Sequence, residues 1–338
     1  MAASERLKVA ILDDYERAFG AHPALAKAQS AAEITVFDRP FGSVERAADA
    51  LQPFDAICLI RERQPCPADL ISALPRLRYL AFTGARNPSC DQAAAARQGI
   101  AVSNTPGGPS KASTAELTWA LALAAGKRLT AAVSGLREGH WRADEQGRAY
   151  PLPDVFEGAT LGLLGLGEIG QRVARFGHAF GMNVLAWSPN LTTQRAQAHG
   201  VTAVARDALF QHSDVLSVHL VLAEQTRGIV GQAELAQMKP GSILVNTSRA
   251  GLIDSAALVE VLAAQRNRLV ALDVFDTEPI RPEDPLAALL NRPDAVLCPH
   301  LGYVNEPVFD AFAGGLGEVI ESWVAGQPVR VVNQDLLK

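Results

Sequence analysis

The stretch Leu161-Gly-Leu-Leu-Gly165-Leu-Gly167-Glu168-Ile169-Gly170 decides the fold. An apolar run ends at Gly165, and Gln171-Arg-Val-Ala-Arg-Phe176 opens a helical pattern behind it. Strand, glycine turn and helix in that order form the G-x-G-x-x-G dinucleotide fingerprint. Gly165 allows the tight turn, Gly167 lets the backbone approach a pyrophosphate, and Gly170 lets the helix pack close to the strand. The helix start then offers N–H groups and a positive dipole end to the phosphates. Glu168 and Ile169 belong to the same predicted cofactor loop. The residue that selects the cofactor is expected about 20 positions on, at the end of the next strand. That place reads Trp187-Ser188-Pro189-Asn190. An acid there would hold both ribose hydroxyls and repel a 2′-phosphate. Ser188 and Asn190 are neutral and Arg195 is the nearest base, so NAD and NADP both stay open.

Working outward, short apolar runs alternate with helical patterns along the whole chain. Val9–Leu12, Ala56–Ile60, Tyr79–Phe82 and Ile100–Val102 form one set of predicted strands. Thr160–Leu164, Asn183–Trp187, Val215–Val218, Ser242–Val245, Leu269–Leu272 and Ala295–Cys298 form another. Strands alternating with helices imply βαβ units and parallel sheets. One long helix is expected over roughly 111–130, capped by the Ser110 or Ser113 hydroxyl, with Thr105-Pro-Gly-Gly-Pro-Ser110 as the hinge before it.

With 338 residues the chain has room for two domains. Its 31 basic and 36 acidic residues leave a net charge of −5, which supplies no basic face for nucleic acid. No apolar run reaches the roughly 20 residues of a bilayer span, and the N-terminus lacks a signal-peptide pattern. Cys58, Cys66, Cys90 and Cys298 lie far apart in sequence without a CxxC, which argues against a disulfide framework or a metal site. A cytoplasmic location is the expectation.

Three strand ends in the second set carry chemistry. Ile243-Leu-Val-Asn246-Thr-Ser-Arg249 offers an Arg, Ala271-Leu-Asp273-Val-Phe-Asp-Thr-Glu278-Pro279 a carboxylate, and Val296-Leu-Cys-Pro299-His300 a His. Ligands of such sheets bind beyond the carboxyl ends of strands. Taken singly, each has a plain alternative: His300 as a structural hydrogen-bonding residue, Glu278 as a turn residue, Arg249 as a surface ion pair.

The segments GLGEIG, MKPGSILVNTSRAGLID, LDVFDTEP and CPHLGY, joined by TPGGPSKASTAELTWALALA and VHLVLAEQTRGIV, together resemble the D-isomer-specific 2-hydroxyacid dehydrogenase family over nearly the whole chain. The resemblance implies Arg249, Glu278 and His300 as the catalytic set. Reduction of a 2-keto acid needs a hydride at C2 and a proton on the developing alkoxide. An imidazolium donates such a proton near neutral pH, a neighbouring carboxylate favours and orients it, and a guanidinium fork holds the substrate carboxylate and keto oxygen. The nicotinamide supplies the hydride. The same carry-over implies that Asp273 holds the nicotinamide amide, that Thr114 faces its ring, and that Thr247, Ser248 and Gly302 line the cofactor. His219 matches a cofactor-side His, but His219-Leu220-Val221 departs from the family's His-x-Pro, and a structural role stands equally open. At the substrate end the backbone N–H groups of Ala85 and Arg86 are expected to bind the substrate carboxylate. Arg86-Asn87-Pro88-Ser89 departs from the Gly-rich pattern of many relatives. Arg61 reads either as a reach to an anionic substrate tail or as part of a solvated charge cluster.

The expected fold is α/β, with two doubly wound parallel-sheet domains. A Rossmann-type cofactor domain, 109–301, is inserted into a flavodoxin-like substrate domain, 1–108 with 302–338. The active site is expected in the cleft, which favours domain closure. The helix 111–125 and the loop through Gly139-His-Trp141 resemble the family's dimer-forming region, which implies a homodimer. The chain is too short for the added regulatory domain of some phosphoglycerate enzymes. The expected partner is a small anionic 2-hydroxy or 2-keto acid, with no metal, nucleic acid or membrane. A dinucleotide-sensing, corepressor-like binding protein on the same fold is the rival reading.

Overall fold

The computed structural model describes residues 6–143, 145–264 and 268–337. The chain divides into two compact units, Met1–Pro109 with Asn305–Lys338, and Ser110–Val304.

In the first unit, runs of branched and aromatic side chains form strands. β1 (Lys8–Leu12), β2 (Glu33–Val36), β3 (Ala56–Leu59), β4 (Tyr79–Phe82) and β5 (Ala101–Asn104) make one parallel sheet in the order β2-β1-β3-β4-β5. This is the flavodoxin-like order, whose direction of winding reverses between β1 and β3. Every residue of β3 and β4 is buried, as expected of strands covered on both faces. β2 escapes the sequence reading because Glu33-Ile-Thr-Val36 is an edge strand, exposed or half-buried throughout, without a continuous apolar signal. The C-terminal helix Glu306–Val324 belongs to this unit. Trp323 stacks on Tyr79 with centroids 5.1 Å apart, and Phe309 meets Phe19 at 5.6 Å. Beyond it, Asn333 clamps β5: its side chain accepts from Val102 N–H at 2.9 Å and donates to Ile100 O at 3.0 Å.

The second unit contains β6 (Thr160–Leu164), β7 (Asn183–Trp187), β8 (Thr202–Ala203), β9 (Val215–Val218), β10 (Ile243–Asn246), β11 (Leu269–Leu272) and β12 (Ala295–Leu297). They form a seven-stranded parallel sheet, β12-β11-β10-β9-β6-β7-β8, in which β6 starts a Rossmann-type double winding. β8 was not legible because two residues at a sheet edge carry no periodicity. The expected helix over roughly 111–130 is two helices, Ser110–Gly126 and Leu129–Arg137. Arg128 separates them with a left-handed backbone, φ +57°, which an α-helix cannot continue through. Ser110 opens the first helix as a helical residue. Leu161, Leu163, Val173, Val184 and Val245 are among the residues of one core layer, and Leu164, Phe210, Leu216, Leu244 and Leu272 among those of the other.

Candidate active site and cofactor cradle

The glycine turn follows β6. Gly165 has φ +111°, and a Cβ there would lie 2.7 Å from the His219 carbonyl; a Cβ at Gly170 would lie 2.3 Å from Gly165 O. At Gly167 nothing stands within 4 Å of such an atom. The turn is therefore closed toward the protein and open outward at its middle glycine. Gly167 caps the helix Glu168–Ala179 without a side-chain hydrogen bond, which leaves the helix start to a ligand. This cradle fits a dinucleotide pyrophosphate. Glu168 is turned outward and pairs with Lys111 at 2.5 Å, and Ile169 is half-buried beside the core. Ser188 follows β7 and is half-buried. Arg195 lies over the same turn, its Nη1 donating to Asn190 O at 3.0 Å. With Leu166, Gln171 and Leu191 it lines a pocket of about 120 Å³.

Three neighbouring strands, β10, β11 and β12, bring Arg249, Asp273 with Glu278, and His300 to one edge of the sheet. Asn246 shapes the first turn: its amide donates to Arg249 O at 3.0 Å and its Oδ1 accepts from Ser248 N–H at 2.9 Å. Arg249 leaves that turn half-buried, with Nη1 donating to Ser248 O at 2.8 Å. In the sequence Asn246 stands only as part of a strand end. Its signal, an Asn two residues before a Ser at a strand terminus, is an ordinary Asx turn.

Asp273 is fully buried and accepts from Leu301 N–H at 2.7 Å and Gly302 N–H at 2.9 Å. Burial pushes its carboxyl up to about 6; those two N–H bonds and nearby His300 oppose the rise, and Glu278 adds to it. Asp273 thus fixes the segment that carries His300. His300 itself has φ +54°, and its Nδ1 lies 2.6 Å from Glu278 Oε2. Glu278 Oε1 accepts from Phe275 N–H at 2.9 Å, so both of its oxygens are engaged. With Nδ1–H given to Glu278, the Nε2 of His300 is the nitrogen left for a reacting group.

The other expected cofactor residues surround this edge, but several hydroxyls are held by protein. Thr114 Oγ1 lies 2.8 Å from Ser110 O and 3.0 Å from Gly302 O. Thr247 Oγ1 lies 2.6 Å from Thr118 Oγ1, and Ser248 Oγ donates to Leu220 O at 2.8 Å. Thr118, unremarked in the sequence, links the long helix to this turn. His219 Nε2 lies 2.8 Å from Ser217 Oγ, and burial of the ring pushes it down to about 4, although part of the residue reaches solvent. It is a neutral ring beside the glycine turn.

In the other unit, Ala85 and Arg86 follow β4 and are exposed. Their N–H groups donate to no protein acceptor among the described residues. Arg61 follows β3 with φ +54°; its N–H donates to Thr83 Oγ1 at 2.9 Å and its Nη1 to Thr83 O at 3.3 Å. Its side chain is 22 % exposed, so it is packed on the β4 loop rather than solvated.

Residues 119–302 match the family described as D-isomer specific 2-hydroxyacid dehydrogenase, NAD binding domain. A glyoxylate reductase of Aeropyrum pernix is 38 % identical over 300 residues, 88 % of this chain and 86 % of that protein. The chain belongs to this family. A D-3-phosphoglycerate dehydrogenase of Archaeoglobus fulgidus is 35 % identical over 82 % of this chain, which spans 51 % of that longer protein. The crystal structure of a phosphoglycerate oxidoreductase from Vibrio cholerae O395 superposes with a TM-score of 0.87 at 38 % identity, covering 95 % of this chain and 99 % of that one. As a D-2-hydroxyacid dehydrogenase, the protein is an oxidoreductase of CH–OH groups that uses a nicotinamide dinucleotide, and its two parallel-sheet α/β units are the family's architecture. Among the described residues no helix is long and apolar enough to cross a membrane.

Proposed function

We propose that the protein interconverts a small D-2-hydroxy acid and its 2-keto acid, with His300 as proton donor and acceptor. The observation that carries this reading is the 2.6 Å contact between His300 Nδ1 and Glu278 Oε2, on a segment fixed by Asp273. In the reducing direction, His300 Nε2 delivers a proton to the keto oxygen as C2 gains a hydride. Glu278 keeps the ring oriented and balances its charge. Arg249 holds the carboxylate and polarises the keto group through its planar fork. The bound nicotinamide supplies the hydride. Gly165, Gly167, Gly170 and the start of the helix Glu168–Ala179 hold the pyrophosphate, and Thr114, Thr247, Ser248, Asp273 and Gly302 shape the nicotinamide end. In the unit of residues 1–109, Arg61 and the free N–H groups of Ala85 and Arg86 are assigned to the anionic substrate. Glyoxylate and its hydroxymethyl homologue are the first substrates to test, because the relative from Aeropyrum pernix that matches over most of its own length is named for glyoxylate.

The turn after β7 supports use of NADPH. No carboxylate stands at Ser188, and Arg195 lies over the same turn. Initial-rate assays of both reduced cofactors over a panel of small 2-keto acids test the reading. Turnover with D stereochemistry is the expected outcome, and absence of turnover across the panel removes it.

The protein is also assigned as a homodimer. The helix Leu129–Arg137 exposes Leu129, Val133 and Leu136 along one face, and Trp141, Leu152 and Val155 nearby in sequence are exposed by 71–87 %. A second copy of the same face would cover them. Light scattering on the purified protein checks this, with a monomer mass as the contrary result.

A further inference from the structure

Cys66 and Cys90, remote in sequence, are neighbours in the fold. Cys66 stands in the loop after β3 and Cys90 in the loop after β4. Cys66 N–H donates to Ser89 O at 2.8 Å and Asp91 N–H donates to Cys66 O at 3.0 Å, so the two cysteines pair as a parallel bridge. Paired residues on adjacent strands lie about 4.8 Å apart. That falls within the Cα separation of about 4.4–6.8 Å that a disulfide spans. The side chains of such a pair project to the same face, which sets the two thiols side by side.

The two sulfurs are not equivalent. The neighbouring Cys90 sulfur and burial raise the Cys66 pKa well above the usual thiol value, while the neighbouring Cys66 thiol lowers that of Cys90 against burial and Asp91. Cys90 also borders a groove of about 500 Å³ with Pro67, Pro88 and Asp91. The other cysteines lack these features: burial pushes Cys58 up to about 12, and burial together with Asp273 raises Cys298. The bridge sits within a hydrogen-bonded clasp between the loops. Asn87 Nδ2 donates to Arg61 O at 2.6 Å, and Ser89 N–H donates to Asn87 Oδ1 at 2.9 Å.

We propose that Cys66 and Cys90 form a hydroperoxide-oxidisable dithiol that locks together the two loops carrying Arg61, Ala85 and Arg86. The Cys90 thiolate attacks the peroxide, the O–O bond breaks, and the alcohol or water leaves with a proton; the sulfur becomes a sulfenic acid as the peroxide is reduced. The Cys66 sulfur then attacks Cys90, forming the S–S bond and breaking the S–O bond. Hydroxide leaves as water with the Cys66 proton. In sum, two thiols and one hydroperoxide give one disulfide, one alcohol or water, and one water. A disulfide shortens the sulfur separation to about 2.0 Å, which pulls the loops together. The consequence for turnover rests on the function proposed above: KM for the 2-keto acid rises by about threefold or more while cofactor affinity holds.

The test treats the purified protein with hydrogen peroxide and maps its peptides by mass spectrometry. The expected product is a Cys66–Cys90 cross-linked peptide about 2 Da lighter than the two thiol peptides together, reversed by dithiothreitol. Cys66→Ser should stop at a dimedone-trappable sulfenic acid on Cys90. Absence of the cross-link, or cross-linking through Cys58 or Cys298 instead, overturns the proposal. A cross-link with unchanged KM overturns the coupling to the substrate loops. If the reduced protein turns over no 2-keto acid, the functional reading fails while the peptide map still decides the dithiol.

Discussion

The strand ends of the two units are built differently. At the edge formed by β10, β11 and β12, each carboxylate is engaged: Asp273 by Leu301 and Gly302, Glu278 by His300 and Phe275. At the corresponding edge of the first unit, Asp13 follows β1 fully buried, and among the described residues neither of its carboxyl oxygens is hydrogen-bonded and the N–H groups of Ala85 and Arg86 have no acceptor. Groups that move protons must be oriented before the reaction, and hydrogen bonds to their neighbours do that. Groups that meet substrate must keep bonding capacity for it. The contrast is the one that the roles proposed for His300 on one unit, and for the Ala85 and Arg86 N–H groups on the other, require.

Breaking the engaged edge should have the largest effect. His300→Ala is expected to lower kcat by about 10²–10⁴, the usual worth of a positioned acid–base group. Its cofactor affinity should stay within a factor of two, as checked by fluorescence titration. Loss of binding in parallel with kcat would mean that His300 is structural.

The cofactor turn comes next. Ser188→Asp is expected to cut kcat/KM for NADPH by about 10- to 100-fold through repulsion of the 2′-phosphate, with NADH little affected. Equal loss with both cofactors would place the turn away from the ribose.

Asp13 sharpens the contrast through pH. Burial, opposed in part by Arg63, pushes its carboxyl up to about 6 from 3.8. The folded state therefore holds this proton more tightly than the unfolded chain. The stability contribution falls as pH rises from about 4 to 6, and the full penalty is present above that window. Asn also tolerates the left-handed backbone at this position, φ +60°. Asp13→Asn should thus gain on the wild type by about 1–3 kcal/mol between pH 4 and pH 7, read from melting curves at each pH. A difference independent of pH would show that Asp13 does not titrate there.

The smallest effect is expected at Thr118→Val, which leaves Thr247 Oγ1 without its partner at 2.6 Å. A loss of about 1 kcal/mol in stability is expected, with kcat changed by less than threefold. A large fall in kcat would show that the long helix positions the cofactor turn through this bond.

The readable parts of the molecule were those whose signal is local. β6, β7, β9 and β11 were legible to the residue because each is a buried apolar run bounded by polar or glycine positions. β2 and β8 were missed because edge strands need no apolar continuity. The break at Arg128 was hidden because nothing in Gly-Lys-Arg-Leu forbids a helix. Arg249, Glu278 and His300 were nameable from three strand ends and a resemblance. Thr118 is silent in sequence because its partner Thr247 lies more than a hundred positions away, and Asn246 carries only the common local signal of an Asx turn.

By itself the sequence determined the α/β class, the glycine cradle and the identity of the acid–base candidates, since these follow from periodicity, from glycine's backbone freedom and from side-chain chemistry. Only the tertiary structure decided which nitrogen of His300 faces Glu278, why Asp273 is an anchor for the His300 segment, and that Cys66 and Cys90 stand as a pair. Those are facts of hydrogen-bond direction and strand register, and they exist only once segments distant in the chain lie side by side.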